Sequence, residues 1–156
     1  MALIIGDVAP EFKLFSSEKA EISLSDYSGK NVLILFFPLA FTKVCTTELC
    51  EIRDNLAVYN NFNTDVIAIS VDSPQTLAKY KEVEKYNFTL LSDFNKTVSK
   101  AYESIYEIFA MGMKGVSKRS AFVIDKDGKI QYAEVLENAG EVPNFDLIKE
   151  TLQKLN

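Results

Sequence analysis

Val32 to Cys50 reads VLILFFPLAFTKVCTTELC, and the pattern of apolar residues changes at Pro38. Val32 to Phe37 is a continuous run of six apolar residues, which suits a strand buried on both faces of a parallel sheet. Pro38 has no N–H to donate and ends that run. Beyond it, Cys45, Leu49, Ile52, Leu56 and Tyr59 recur at alternating spacings of four and three, which predicts a helix running to about Tyr59 with Cys45 at the head of its inward stripe. Thr42 is the N-cap candidate. With that cap, the amides of Lys43, Val44 and Cys45 have no partners within the helix and point toward any anion near the sulfur. Thiols at a helix N-terminus or beside a cation ionise more readily than free ones, so the stretch reads as a thiolate site.

On the N-terminal side, Phe12 to Phe15 and Glu21 to Leu24 are short segments joined by polar Ser16-Ser17-Glu18-Lys19, a pattern that predicts a hairpin. Ser25 to Gly29 reads as a turn or a single helical turn. Val66 to Val71 is a second strand of the buried type, and Asp72-Ser73-Pro74 opens a helix whose apolar side is Leu77, Tyr80 and Val83, as far as about Tyr86. Phe88 to Leu91 is a short strand and Lys96 to Tyr102 a helix. Asp127-Gly128 links the strands Ser120–Ile124 and Ile130–Val135 as antiparallel neighbours. Pro143 opens a last helix with Phe145, Ile148, Leu152 and Leu155 as its buried stripe. The order predicts an α/β fold, with a mixed central sheet, parallel in the middle and antiparallel at an edge, and helices on both faces. In such sheets ligands bind at the carboxyl ends of strands, where the turn after Phe37 falls.

The 156 residues are expected to form a single domain, 1–156, large enough to stand without staples. With 22 acidic against 17 basic residues the chain lacks the electrostatic footprint of a nucleic-acid binder. No run approaches the ~18 apolar residues of a spanning helix, and MALIIGDVAPEF has neither a basic n-region nor a useful h-region. These features lead to the expectation of a cytoplasmic protein with no membrane or nucleic-acid partner. Two cysteines in such a chain more often serve catalysis or redox sensing than structure. The absence of histidine excludes Cys–His hydrolases and any site built on imidazole.

Pro38, Thr42 and Cys45 match the P-x-x-x-T-x-x-C signature of peroxiredoxins, and Arg119 stands shortly before a late strand, where that family keeps an arginine. Ile5 to Pro10, Leu91-Ser92-Asp93, Phe122 to Asp125 and Gly140-Glu141-Val142 make nearly the whole chain resemble the alkyl hydroperoxide reductase E-type branch. The resemblance implies a thioredoxin-like fold and a thiol-dependent peroxidase that reduces hydrogen peroxide and organic hydroperoxides without metal, flavin or haem. It assigns Cys45 as the attacking thiolate, oxidised to a sulfenic acid. Thr42 is a hydroxyl donor to sulfur or peroxide, Pro38 a shield from water, and the Val44 and Cys45 amides an anion cradle. Arg119 is a permanent cation beside the sulfur, and Glu48 the acid that orients it. Two unit charges ~4 Å apart at an effective dielectric of ~20 interact by about 4 kcal/mol, enough to bias a thiol toward its anion. Without the signature, Arg119 reads as a solvated charge and Glu48 as a first-turn dipole partner.

Cys50 is the only other thiol. On an intact helix, five residues place the two Cα atoms about 8–9 Å apart, beyond the ~7 Å reach of a disulfide. If Cys50 resolves the oxidised Cys45, the first turns must unwind, as in family members of the bacterioferritin comigratory type with the same spacing. Otherwise an external thiol resolves it, as is usual in the E-type branch, and Cys50 is an inert neighbour. The reductant implied is thioredoxin, glutaredoxin or a low-molecular-weight thiol. Ile105 to Met111 is too apolar for an exposed loop and covers the active site, packs on itself or makes a contact in a homodimer. Two other readings compete. A disulfide oxidoreductase normally carries C-x-x-C, whereas four residues separate these cysteines. A metal-binding or redox-sensing module would have two thiols and no histidine, a poor metal site.

Overall fold

The computed structural model describes residues 2–156. Its strands are β1 (Lys13–Ser16), β2 (Glu21–Ser23), β3 (Asn31–Phe36), β4 (Thr64–Ser70), β5 (Thr89–Ser92), β6 (Ser120–Ile124) and β7 (Ile130–Val135). Its helices are α1 (Lys43–Asp54), α2 (Leu56–Asn60), α3 (Pro74–Glu84), α4 (Thr97–Ala101) and α5 (Phe145–Lys154), with short 3-10 turns at Leu24–Tyr27 and Ala110–Gly112. The strands form one sheet in the order β2-β1-β5-β4-β3-β6-β7. β3, β4 and β5 are parallel, and β6 runs antiparallel to β3. The β1–β2 hairpin docks antiparallel on β5 at the far edge, so antiparallel pairs flank the parallel centre on both sides.

Every residue of β3 is buried, as its unbroken apolar run requires. Side chains alternate across the pleat, which divides the core into two layers. Leu33, Leu35 and Phe37 pack with Leu49, Ile52, Tyr59, Leu77, Tyr80, Ile148 and Leu152, beneath α1, α2, α3 and α5. Val32, Ile34 and Phe36 pack with Val98 of α4, Tyr102 and the N-terminal residues Ala9 and Phe12. Helices therefore cover both faces, four of them on the face that carries the thiols.

Three departures from the sequence reading have local reasons. The predicted Cys45–Tyr59 helix is broken at Asn55, whose φ of −118° and ψ of 18° are not helical and whose side-chain amide donates to the Glu51 carbonyl. Leu56 and Tyr59 still pack inward, from α2. α3 ends at Glu84 because Lys85 is left-handed (φ 56°, ψ 42°), and Tyr86 N–H reaches back to the Lys81 carbonyl at 3.1 Å. Val83 consequently faces solvent at 52% exposure, and Tyr86 fills the core instead. Pro143 stands outside the last helix. Asn144 is the cap, its side chain accepting from Leu147 N–H at 3.1 Å.

Candidate active site

The sheet register assembles the site. Phe36 of β3 lies opposite Ser120 of β6, so the residue before Ser120 arrives beside the loop that leaves β3. That residue is Arg119, 74 positions from Cys45 in sequence and 3.2 Å from it in space, Nη2 to Sγ. Its Nη1 donates to Glu48 Oε1 at 2.7 Å. Nη2 and Nε also donate to the Ala139 carbonyl, at 2.9 and 3.3 Å. The chain after β7 returns to this end of the sheet, with Leu136 N–H donating to the Arg119 carbonyl at 2.9 Å, and this return delivers Ala139. One guanidinium thus holds a thiol, a carboxylate and a peptide carbonyl in a fixed fork.

Cys45, Glu48 and Arg119 are each about 1% exposed, so charge here is shielded from water. Burial pushes the Glu48 carboxyl up to about 7, opposed by Arg119 and reinforced by the charge of Glu51. Burial also works against the charge of Arg119, but Glu48 and Cys45 outweigh it and raise its affinity for the proton. The first intrahelical bond of α1 runs from Thr46 N–H to the Thr42 carbonyl at 2.9 Å, which leaves the Val44 and Cys45 amides without helical acceptors.

Thr42 holds the N-cap position with extended backbone (φ −97°, ψ 155°), but its side chain makes no cap bond. The hydroxyl donates instead to the Leu39 carbonyl at 2.7 Å, across the loop. Pro38 is buried at the start of that loop. Pro38, Leu39, Thr42, Val44, Phe109 and Arg119 wall a shallow, largely apolar pocket of about 290 Å³ that ends on Cys45. Phe109 brings the Ile105–Met111 stretch to the mouth of the site, while Ile108 and Met111 of the same stretch face solvent at 65% and 91% exposure. Cys50 lies one and a half turns further along α1, half-buried, its thiol 3.9 Å from the Tyr86 hydroxyl. Both cysteines are free. Among the described residues no cluster of three or more potential metal ligands occurs, and no helix is long and apolar enough to cross a membrane.

Two contributors to the site carry no functional signal in the sequence. Asp72 Oδ2 accepts from Ala40 N–H at 2.8 Å and from the Ser70 hydroxyl at 2.7 Å, tying the loop to the end of β4. In the sequence Asp72 reads as part of a helix start, whereas Ser73 alone caps α3. The Ala139 carbonyl is main chain, and no side-chain pattern announces it.

Comparison with known proteins places this geometry in a family. Residues 5–133 match the AhpC/TSA family model. The chain is 39% identical to Peroxiredoxin Bcp of Escherichia coli (strain K12) over 129 residues, 81% of this chain and 82% of that protein. It is 38% identical to Alkyl hydroperoxide reductase E of Mycobacterium bovis over 156 residues, 98% of each. Among solved structures, Peroxidoxin BcpB from Mycobacterium tuberculosis superposes with a TM-score of 0.86 at 28% identity, covering 97% of both chains. The reduced 2-Cys peroxiredoxin of Plasmodium vivax gives 0.83 at 29%, covering 96% of this chain and 80% of that one. The sheet with its two helical layers is the thioredoxin-like fold of these proteins, and the chain belongs to the AhpC/TSA family of peroxiredoxins, thiol-dependent peroxidases that reduce hydroperoxides.

Proposed function

We propose that Cys45 is the peroxidatic thiol and that Cys50 resolves it within the same chain. The observation that carries the first assignment is the 3.2 Å contact between Arg119 Nη2 and Cys45 Sγ, made by a buried guanidinium that Glu48 and Ala139 hold from the other side. The thiolate attacks the terminal oxygen of the hydroperoxide. An S–O bond forms, the O–O bond breaks, and the leaving alkoxide or hydroxide takes a proton to depart as alcohol or water. Negative charge moves from sulfur to the leaving oxygen, and the groups around it are donors already in place: Arg119 and the Val44 and Cys45 amides. Thr42 lies at the pocket wall, and its hydroxyl can turn from Leu39 to an arriving peroxide. Pro38 shields the sulfur side of the loop. Glu48 is a positioning residue, acting through Arg119.

The product is a sulfenic acid on Cys45. Attack by the Cys50 thiolate forms an S–S bond, breaks the S–O bond and releases hydroxide, which leaves as water with the Cys50 proton. α1 carries both cysteines on one continuous helix, so this step needs its first turns to unwind. The sequence of those turns supports unwinding, since Thr46 and Thr47 are weak helix formers and the Thr47 hydroxyl donates back to the Lys43 carbonyl at 3.0 Å. An external thiol, whether thioredoxin, glutaredoxin or a low-molecular-weight thiol, then reduces the disulfide in the cytoplasm. The exposed Ile108 and Met111 support a contact between two copies in a homodimer. The apolar Leu39, Phe109 and Val44 favour alkyl hydroperoxides over hydrogen peroxide in the pocket.

Intact mass after one equivalent of hydroperoxide tests the assignment. Loss of two hydrogens in the wild type, absent from both Cys45→Ser and Cys50→Ser, is the expected result. An added oxygen that persists in Cys50→Ser and vanishes in Cys45→Ser, with no disulfide in the wild type, would leave resolution to an external thiol. Rapid oxidation surviving in Cys45→Ser would overturn the site.

A further inference from the structure

Tyr80 of α3 is fully buried, yet it belongs neither to the pocket wall nor to the Arg119 fork. Its contacts go to the moving parts. Its hydroxyl lies 2.8 Å from Thr46 Oγ1, in the first turn of α1 and next to Cys45. Its ring lies against Phe41, with centroids 4.8 Å apart. Phe41 is itself under strain, since its backbone stands at φ 64°, a region that bulky L-residues rarely adopt unless something over-determines it. On its other side Tyr80 meets the Tyr86 ring edge-on at 5.0 Å, and the Tyr86 hydroxyl is the group that accepts from Cys50. One side chain therefore touches the loop before the helix, the turn that carries Cys45, and the aromatic neighbour of Cys50.

We infer that Tyr80 is a latch, a positioning residue that keeps the Cys45 turn of α1 folded and so sets how fast an oxidised Cys45 is released to Cys50. The inference rests on the resolving role proposed for Cys50. Unwinding the first turn carries Thr46 away from Tyr80 and frees Phe41 from its positive φ, so the latch bond must break before the thiols can meet. Burial pushes the Tyr80 phenol up to about 12, so its O–H stays intact as a hydrogen-bonding group throughout the physiological range. While the turn is folded the sulfenic acid waits beside Arg119, where a second peroxide can carry it to the irreversible sulfinic acid. The strength of the latch thus divides oxidised Cys45 between disulfide and overoxidation.

Tyr80→Phe keeps the ring and removes only the hydroxyl. A neutral hydrogen bond has a modest net value, so its loss is expected to raise the opening rate of the turn about three- to tenfold. Hydrogen exchange of the Thr46–Leu49 amides, the first with helical acceptors, in the reduced protein, and rapid-quench measurement of the Cys45–Cys50 disulfide after peroxide, should both accelerate by that factor. The sulfinic fraction at high peroxide should fall. Thr46→Val should give the same shifts, Thr46→Ser should stay at wild-type values, and the Tyr80→Phe/Thr46→Val pair should exceed neither single variant appreciably. Unchanged exchange in Tyr80→Phe would overturn the latch, as would faster exchange with an unchanged rate of disulfide formation. Faster exchange with no disulfide in any of these proteins would instead remove the resolving role of Cys50 while leaving the latch on the Cys45 turn in place.

Discussion

Glu48 meets Arg119 through one carboxylate oxygen: Oε1 accepts from Nη1 at 2.7 Å, and the buried Oε2 has no hydrogen-bond partner among the described residues. Buried ion pairs normally satisfy their remaining lone pairs, because the cost of removing charge from water is otherwise not recovered. Here no described residue donates to the second oxygen, and Arg119 turns its other nitrogen to sulfur. Two acceptors, the carboxylate and the thiolate, share one cation in a dry site. Negative charge on either weakens the hold of Arg119 on the other.

Removing Arg119 should therefore do more than remove a donor. In Arg119→Met the second-order rate constant for oxidation of Cys45 by hydrogen peroxide, measured by stopped flow, should fall about 10²- to 10³-fold, the scale set by loss of a preorganised donor at developing negative charge. Arg119→Lys should recover little of this, because an ammonium cannot reach sulfur, Glu48 and the Ala139 carbonyl together as the planar fork does. Urea denaturation should show Arg119→Met destabilised by about 3–5 kcal/mol, the cost of an uncompensated buried partner, with Glu48→Gln in the same chain restoring part of it.

The Glu48 carboxyl also makes stability depend on pH. Its folded value, raised to about 7 by burial, lies above the ordinary 4.5. Between those values the native state holds a proton that the unfolded state has released, so this group's contribution to stability falls as pH rises through that window. Urea midpoints of the wild type should decline relative to Glu48→Gln from pH 5 to pH 7.5 and then run parallel. A wild type that gained on the variant with rising pH would show instead that Arg119 holds Glu48 charged at all these values.

The parts of this molecule legible in its sequence are those fixed by periodicity and by side-chain identity. The β3 run, the Asp127-Gly128 hairpin and the stripe beginning at Cys45 each follow from local chemistry, and the signature around Cys45 pointed to Arg119 and Glu48. What escaped depends on main-chain geometry or on long-range placement. Asn55 is a weak helix former, but the apolar stripe runs through it to Tyr59 and hides the break, and the left-handed turn after α3 is taken by a lysine where glycine would have announced it. The Ala139 carbonyl is invisible in principle. Thr42 is at the predicted cap, but the competition for its hydroxyl is decided by how the loop brings the Leu39 carbonyl round.

Lys85 is exposed, and its left-handed backbone crowds its Cβ, a cost glycine does not bear. Lys85→Gly should raise stability by about 0.5–1 kcal/mol, the strain relieved less the added freedom of the unfolded chain. The rate of Cys45 oxidation by peroxide should be unchanged, since Lys85 does not line the pocket. A loss of stability in thermal or urea unfolding would show that the left-handed turn is not strained.

Asp72 ties the peroxide loop to the sheet, and its removal separates positioning from chemistry. Asp72 Oδ2 holds Ala40 N–H, two residues beyond Pro38 and two before Thr42, and its hydrogen bonds go to Ala40 and Ser70 and not to Cys45 or Arg119. Asp72→Ala leaves that amide and the Ser70 O–H without their acceptor, at a cost of about 1–3 kcal/mol. The loop then loses its fixed path over the sulfur, and because small misplacements are expensive in preorganised sites, oxidation of Cys45 by peroxide should slow about tenfold. Alkylation of reduced Cys45 by iodoacetamide needs no peroxide-shaped site and should slow far less. Equal losses in both reactions would mean that Asp72 acts on the thiolate itself, and no loss in either would mean that Leu39 to Thr42 keep their path without it.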